Sequence, residues 1–277
     1  MANYQYIKMI LEQRKYFIEE SRKCHICFIG LFGSQNYGLD DETSDIDCVA
    51  VTVPSLDELI SGNPSVKTLE PSEFSHNPNK DNGTVKLMDL RDFAKQLSKG
   101  SFANLEVLMS DYVIVEKSFT DFYNERFKIY MRYVWNYQNA VYGAIHNLLK
   151  QYNIHTDDVD KTRQQKRMYE MLRLNVLYEQ VMDDDIAYPE FYIKDLYTRC
   201  LIGGVKCGIL DSDKFLDDVT AIEAPSTEEP KIAEPLCGFD VQLLANLTIK
   251  NSITGNLYRN DCVACSVNCA KTSYTTA

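Results

Sequence analysis

The strongest indication of the fold is the segment GLFGSQNYGLDDETSDIDCVAV, residues 30–51. An apolar run over residues 25–32 predicts a buried strand, and Gly33 and Ser34 end it at a tight turn. Residues 45–53 are rich in β-branched side chains and alternate polar with apolar at their start, which predicts a second strand. The stretch therefore predicts two strands joined by a Gly-Ser turn and a polar loop.

The turn and the start of the second strand carry the residues with useful chemistry. Backbone N–H groups and a hydroxyl at Gly33 and Ser34 are suited to binding phosphate. Asp45 and Asp47 are two residues apart, so an extended strand places both carboxylates on one face, about 6–7 Å apart along the chain. The two charges repel each other unless a cation lies between them, and oxygen ligands beside a phosphate site suit Mg²⁺. The alternative is that both acids only cap the strand or face solvent at its edge.

A second metal ion requires a third carboxylate on an adjacent strand. Asp89 is the best candidate, because it ends a predicted strand over residues 84–90 and precedes a helix. The alternative is that Asp89 caps that helix.

The helix predicted at residues 161–173 is rich in basic side chains for an acidic protein. Lys166 and Arg173 are seven residues apart, so they share one face of a helix, with Tyr169 between them. This pattern predicts a phosphate clamp with an aromatic ring that stacks on a base. A solvated helix face explains the same pattern.

The remaining periodicity gives an α+β organisation. A helix is predicted over residues 4–23, and helical periods fill most of the chain after about residue 120. Residues 61–83 are rich in Gly, Pro, Asn and Ser and predict a loop. We expect a small mixed β-sheet domain with flanking helices over 1–118, a helical domain over 119–222, and a linker with a C-terminal segment over 223–277.

Composition excludes several classes of protein. The net charge of −11, from 29 basic and 40 acidic residues, disfavours binding of duplex DNA by bulk charge. No run of 18 apolar residues predicts a membrane span, and the N-terminus lacks the features of a signal peptide, so we expect a cytoplasmic protein. Cys262, Cys265 and Cys269 have the spacing of zinc ligands, but the sequence does not decide between a zinc site and free thiols.

Gly33-Ser34, followed after ten residues by Asp45-Ile46-Asp47, resembles the signature of the polymerase-β-like nucleotidyltransferase superfamily. The wider stretch GSQNYGLDDETSDID, with the later KLMDLRDFAKQLSKGS and KRMYEMLR, is similar to predicted nucleotidyltransferases of bacteria and their phages. The resemblance covers about residues 28–110 and is thin over 130–182.

The resemblance implies an activity and a set of site residues. Gly33 and Ser34 would bind the phosphates of an NTP, and Asp45, Asp47 and Asp89 would be catalytic ligands of two Mg²⁺ ions. The expected reaction is transfer of a nucleoside monophosphate, AMP from ATP, to a hydroxyl of a protein, a small molecule or RNA, with release of pyrophosphate. The alternative is a catalytically silent nucleotide-binding or antitoxin-like regulatory module of the same fold.

Overall fold

A computed structural model of the chain describes residues 4–41, 44–61, 67–75, 83–152, 161–183, 185–186 and 188–226. The strands are β1 (His25–Leu31), β2 (Cys48–Val53), β3 (Lys67–Leu69), β4 (Val85–Asp89) and β5 (Val113–Val115). The first helices are α1 (Tyr4–Arg22), α2 (Ser34–Tyr37), α3 (Leu56–Ser61), α4 (Pro71–Phe74), α5 (Leu90–Ser98) and α6 (Phe102–Met109). The later helices are α7 (Thr120–Asn124), α8 (Arg126–Tyr152), α9 (Lys161–Met182), α10 (Leu196–Lys206) and α11 (Leu216–Thr220).

The strands form one mixed sheet in the order β3-β4-β2-β1-β5. Strands β2 and β4 run parallel, while β1 is antiparallel to both β2 and β5. The end of β1 therefore meets the starts of β2, β4 and β5 at one edge of the sheet, which we call the turn edge. The expected α+β fold with a mixed sheet is confirmed.

Neighbouring residues of a strand point to opposite faces of the sheet, and helices pack on both faces. Val49 and Val51 of β2 pack into a hydrophobic cluster with residues of α5, α6, α8 and α9. Cys48 and Ala50 pack into a second cluster with α1. The helical half thus shares the first cluster with the sheet.

Three local predictions differ from the structure. The segment 61–83 contains β3 and α4; α4 begins at Pro71 and has a capping box between Glu70 and Glu73. Helical periods are predicted for most of the chain after about residue 120, but residues 188–195 are not helical and α10 begins only at Leu196, after the Asp195 cap. The second strand begins at Cys48, so Asp45 lies outside it.

None of the described helices is long and apolar enough to cross a membrane. Cys262, Cys265 and Cys269 lie outside the described residues.

Candidate active site

The Gly33-Ser34 turn and the two acids Asp45 and Asp47, which we call the acid pair, meet at the turn edge. Leu31 at the end of β1 lies opposite Cys48 at the start of β2, and the Phe32 N–H donates to the Asp47 carbonyl at 3.0 Å. This bond places Gly33 directly beside the Asp45–Asp47 segment. Asp45 is exposed and Asp47 half-buried, while Ile46 between them is buried. The predicted alternation therefore holds, although the three residues precede the strand.

Thr84 fixes the Asp47 carboxylate. It precedes β4 as Asp47 precedes β2, and the parallel register sets the two side by side. The Thr84 N–H and hydroxyl donate to Asp47 Oδ1 at 2.7 and 2.9 Å. Thr84 was not predicted as a site residue, because its position beside Asp47 depends on the order of the strands in the sheet rather than on the local sequence pattern.

Gly33 provides the backbone conformation of the turn. Its φ of +95° is one that side-chain-bearing residues rarely adopt. The helix that follows, α2, is a single turn. The Gly33 N–H donates to Glu106 Oε1 at 2.6 Å, so this donor is committed to the protein. The Gly33 N–H is therefore already used within the protein, and Ser34 is the other turn residue predicted to bind phosphate.

Glu106 of α6 is the buried anchor of the turn. It is 2% exposed and also accepts from Asn36 Nδ2 at 3.1 Å and from the Tyr37 hydroxyl at 2.9 Å. Burial raises the pKa of Glu106, while nearby Arg173 and these hydrogen bonds act against that rise. The single acid in the mainly apolar helix FANLEVLM was the available sequence signal for this role.

Arg173 of α9 lies over the ring of Tyr37. Its guanidinium carbon is 4.3 Å from the centroid of the Tyr37 ring. Burial opposes its charge, but neighbouring Tyr37 and Glu106 raise its pKa overall. The structure therefore brings Arg173 to the helix that begins at Ser34.

The other two residues of the expected clamp are placed differently. Lys166 is exposed on α9. Tyr169 is only 9% exposed and packs within the hydrophobic core, and the Lys206 ammonium lies 5.9 Å from the centroid of its ring. Little of the Tyr169 ring faces solvent, and the stacking of a base on it stays a prediction.

Lys206 of α10 holds the loop between the turn and the acid pair. Its ammonium donates to the Leu39 carbonyl at 3.0 Å, to Asp41 Oδ2 at 2.8 Å and to Ser44 Oγ at 3.1 Å. It brings a cation from the helical half next to the segment that leads into Asp45. No sequence pattern singled out this residue.

Asp89 does not join the acid pair, and the expectation that it shares the metal is corrected. Cys48 pairs with Val85 and Thr52 pairs with Asp89, so Asp89 lies at the opposite end of the parallel strands. Four residues at about 3.3 Å each separate the two ends by about 13 Å. Asp89 is fully buried, caps α5 through the Arg91 N–H, and forms an ion pair with the Arg91 guanidinium.

The donor set at the turn edge suits one divalent cation. Asp45 and Asp47 supply carboxylate oxygens, and Mg²⁺ in proteins commonly binds one or two carboxylates together with substrate phosphates. Within the part of the chain that the structure describes, no group of three or more His, Cys, Asp or Glu residues is arranged to hold a metal. The third protein ligand expected from the sequence is therefore not found there.

The comparison with protein families agrees with this geometry. The model of the RNA repair pathway DNA polymerase beta family matches residues 8–199, which include the turn, the acid pair and Arg173. The chain belongs to this family. It is thus a polymerase-β-like nucleotidyltransferase by family. Lys206 lies beyond the residues that the family matches. No curated protein matches the chain.

Proposed function

We propose that the chain transfers a nucleoside monophosphate, AMP from ATP, to a hydroxyl acceptor and releases pyrophosphate. One observation carries the proposal: the Gly33-Ser34 turn and the Asp45–Asp47 pair lie together at the turn edge, joined by the Phe32–Asp47 hydrogen bond. This arrangement places hydrogen-bond donors for a phosphate beside two carboxylates that could bind a cation.

In this proposal the triphosphate is bound from two sides. Ser34 offers a hydroxyl and a backbone N–H on the sheet side. Arg173 and Lys206 add positive charge from the helical half, through their contacts with Tyr37 and with the loop at Asp41. Two substrates held in line for displacement need little further covalent chemistry from the protein.

Asp45 and Asp47 would hold Mg²⁺ together with phosphate oxygens. When bound, the ion neutralises charge that develops on the pyrophosphate leaving group and lowers the pKa of an attacking hydroxyl. Because Thr84 occupies Oδ1 of Asp47, we assign Oδ2 to the cation. The two ions expected from the sequence would need further ligands beyond these two carboxylates.

RNA is the acceptor class that we propose first. The family description names an RNA repair pathway, which supports an RNA hydroxyl as the first acceptor to test. The net charge of −11 argues that such an RNA is held at a local patch rather than by the whole surface. Protein and small-molecule hydroxyls are the other acceptors.

The test incubates the full chain with α-labelled ATP, Mg²⁺ and each class of acceptor, and measures label transfer and pyrophosphate. We expect both products with one class, and neither with the double variant Asp45→Asn/Asp47→Asn. Asp92→Asn, an acid on α5, is the matched control and should retain activity.

A second candidate is a nucleotide-binding module without turnover. The observation that favours it is the placement of Asp89 away from the acid pair. This candidate predicts that nucleotide binding depends on Asp47 and that no pyrophosphate is released from ATP with any acceptor. That result would contradict the transferase.

A further inference from the structure

A buried arginine lies directly behind the acid pair. Arg14 of α1 is 1% exposed, and its Nη1 donates to the Ile46 carbonyl and lies 3.4 Å from Cys48 Sγ. Its guanidinium carbon is 4.8 Å from the centroid of the Phe74 ring. Burial of a charged side chain costs free energy of folding unless polar groups compensate it. The placement of Arg14 at the Ile46 carbonyl therefore points to a role in holding the acid pair.

The Ile46 peptide is held from a second side by Gly83. Gly83 has a φ of +101°, and a Cβ atom built on it would lie 2.5 Å from the Ile46 carbonyl oxygen and 2.8 Å from its nitrogen. Only glycine allows this close approach. Arg14 and Gly83 thus both fix the Ile46 peptide, the unit that joins Asp45 to Asp47.

We propose that Arg14 is a positioning residue for the Asp45–Asp47 pair: it fixes the Ile46 carbonyl and so sets how the two carboxylates present themselves to a divalent cation. The proposal rests on the proposed function only in assigning that cation to this pair. Groups that orient metal ligands typically contribute 10–100-fold to metal affinity.

The experiment measures Mn²⁺ binding to the full chain by electron paramagnetic resonance, with thermal melting to establish that each variant is folded. Arg14→Met, neutral and of similar length, should bind Mn²⁺ about tenfold more weakly or worse. Arg14→Lys keeps a cation but loses the planar fork and should show an intermediate loss. Arg22→Met is the matched control, because Arg22 lies on the same helix and pairs with Glu73 at 2.8 Å. It should bind as wild type does.

The outcomes separate this inference from the proposed function. Mn²⁺ binding that is lost in Asp47→Asn but unchanged in folded Arg14→Met overturns the positioning role alone. If Arg14→Met does not fold, Arg14→Lys decides, and an affinity equal to that of wild type overturns the role. Mn²⁺ binding that survives in Asp45→Asn/Asp47→Asn contradicts the proposed function.

Discussion

An acid lies at each end of the parallel strands β2 and β4, and the two acids have different surroundings. At the turn edge, half-buried Asp47 is held by the neutral donors of Thr84. At the far end, fully buried Asp89 is neutralised by Arg91 and caps α5. Asp89 therefore has a structural role, whereas we propose that Asp47, which no cation neutralises through these contacts, binds a ligand cation.

The largest expected effect comes from the turn edge. Asp47→Asn removes a cation ligand but keeps an oxygen that can accept from Thr84, so we expect transfer to fall about a thousandfold or more while the fold is retained. The measurement is the rate of pyrophosphate release, with the melting temperature as control. If the variant keeps most of the activity, Asp47 is not a cation ligand in the reaction, and the proposed difference in role between Asp47 and Asp89 is wrong.

Substitution of the acid at the far end should change stability instead. Asp89→Ala leaves the Arg91 guanidinium without its partner and removes the cap of α5, so we expect a loss of about 2–4 kcal/mol in the free energy of unfolding. Urea unfolding measures this loss. Mn²⁺ affinity of the folded fraction should equal that of wild type, and a weaker affinity would place Asp89 in the site after all.

Glu106 extends the comparison to an acid that is buried yet tied to the turn. Burial raises its pKa above the ordinary value of 4.5, so the folded state binds more protons than the unfolded state as pH rises from about 4.5. The free energy of unfolding should therefore fall through that range, by at most about 1.4 kcal/mol per pH unit, and level off above the folded pKa. Glu106→Gln should remove this slope. Urea unfolding at several pH values tests it, and equal slopes in both proteins would speak against a raised pKa.

Lys206 gives the smallest expected effect. Its ion pair with Asp41 is partly exposed, so Lys206→Met should cost less than about 1 kcal/mol of stability. We expect ATP affinity to weaken about two- to fivefold, because the loop before Asp45 loses its tether. Isothermal titration measures it, with Lys194→Met as the control for removal of an exposed ion pair. Equal ATP affinity in both variants would show that the tether plays no part in binding.

Local sequence patterns predicted most of the fold. The apolar run that became β1 and the helical period of α1 depend on neighbouring residues alone, and the structure places both where they were expected. The interval 61–83 was misjudged because its loop-like composition conceals the short strand β3 and the single turn α4.

The arrangement of the site depended on tertiary relations that one sequence does not contain. Whether Asp89 or Thr84 lies beside Asp47 depends on the parallel pairing of β2 and β4, which the local alternation of β4 does not specify. The roles of Glu106 and Lys206 likewise arise from contacts with residues at least 69 positions away.

The most direct test is a crystal structure of the chain with Mn²⁺ and a non-hydrolysable ATP analogue, with the ion located by its anomalous scattering. The account predicts a manganese peak bound by Asp45 and Asp47, with the analogue's phosphates at Ser34. A peak beside Asp89, or phosphates bound away from the turn, would contradict it.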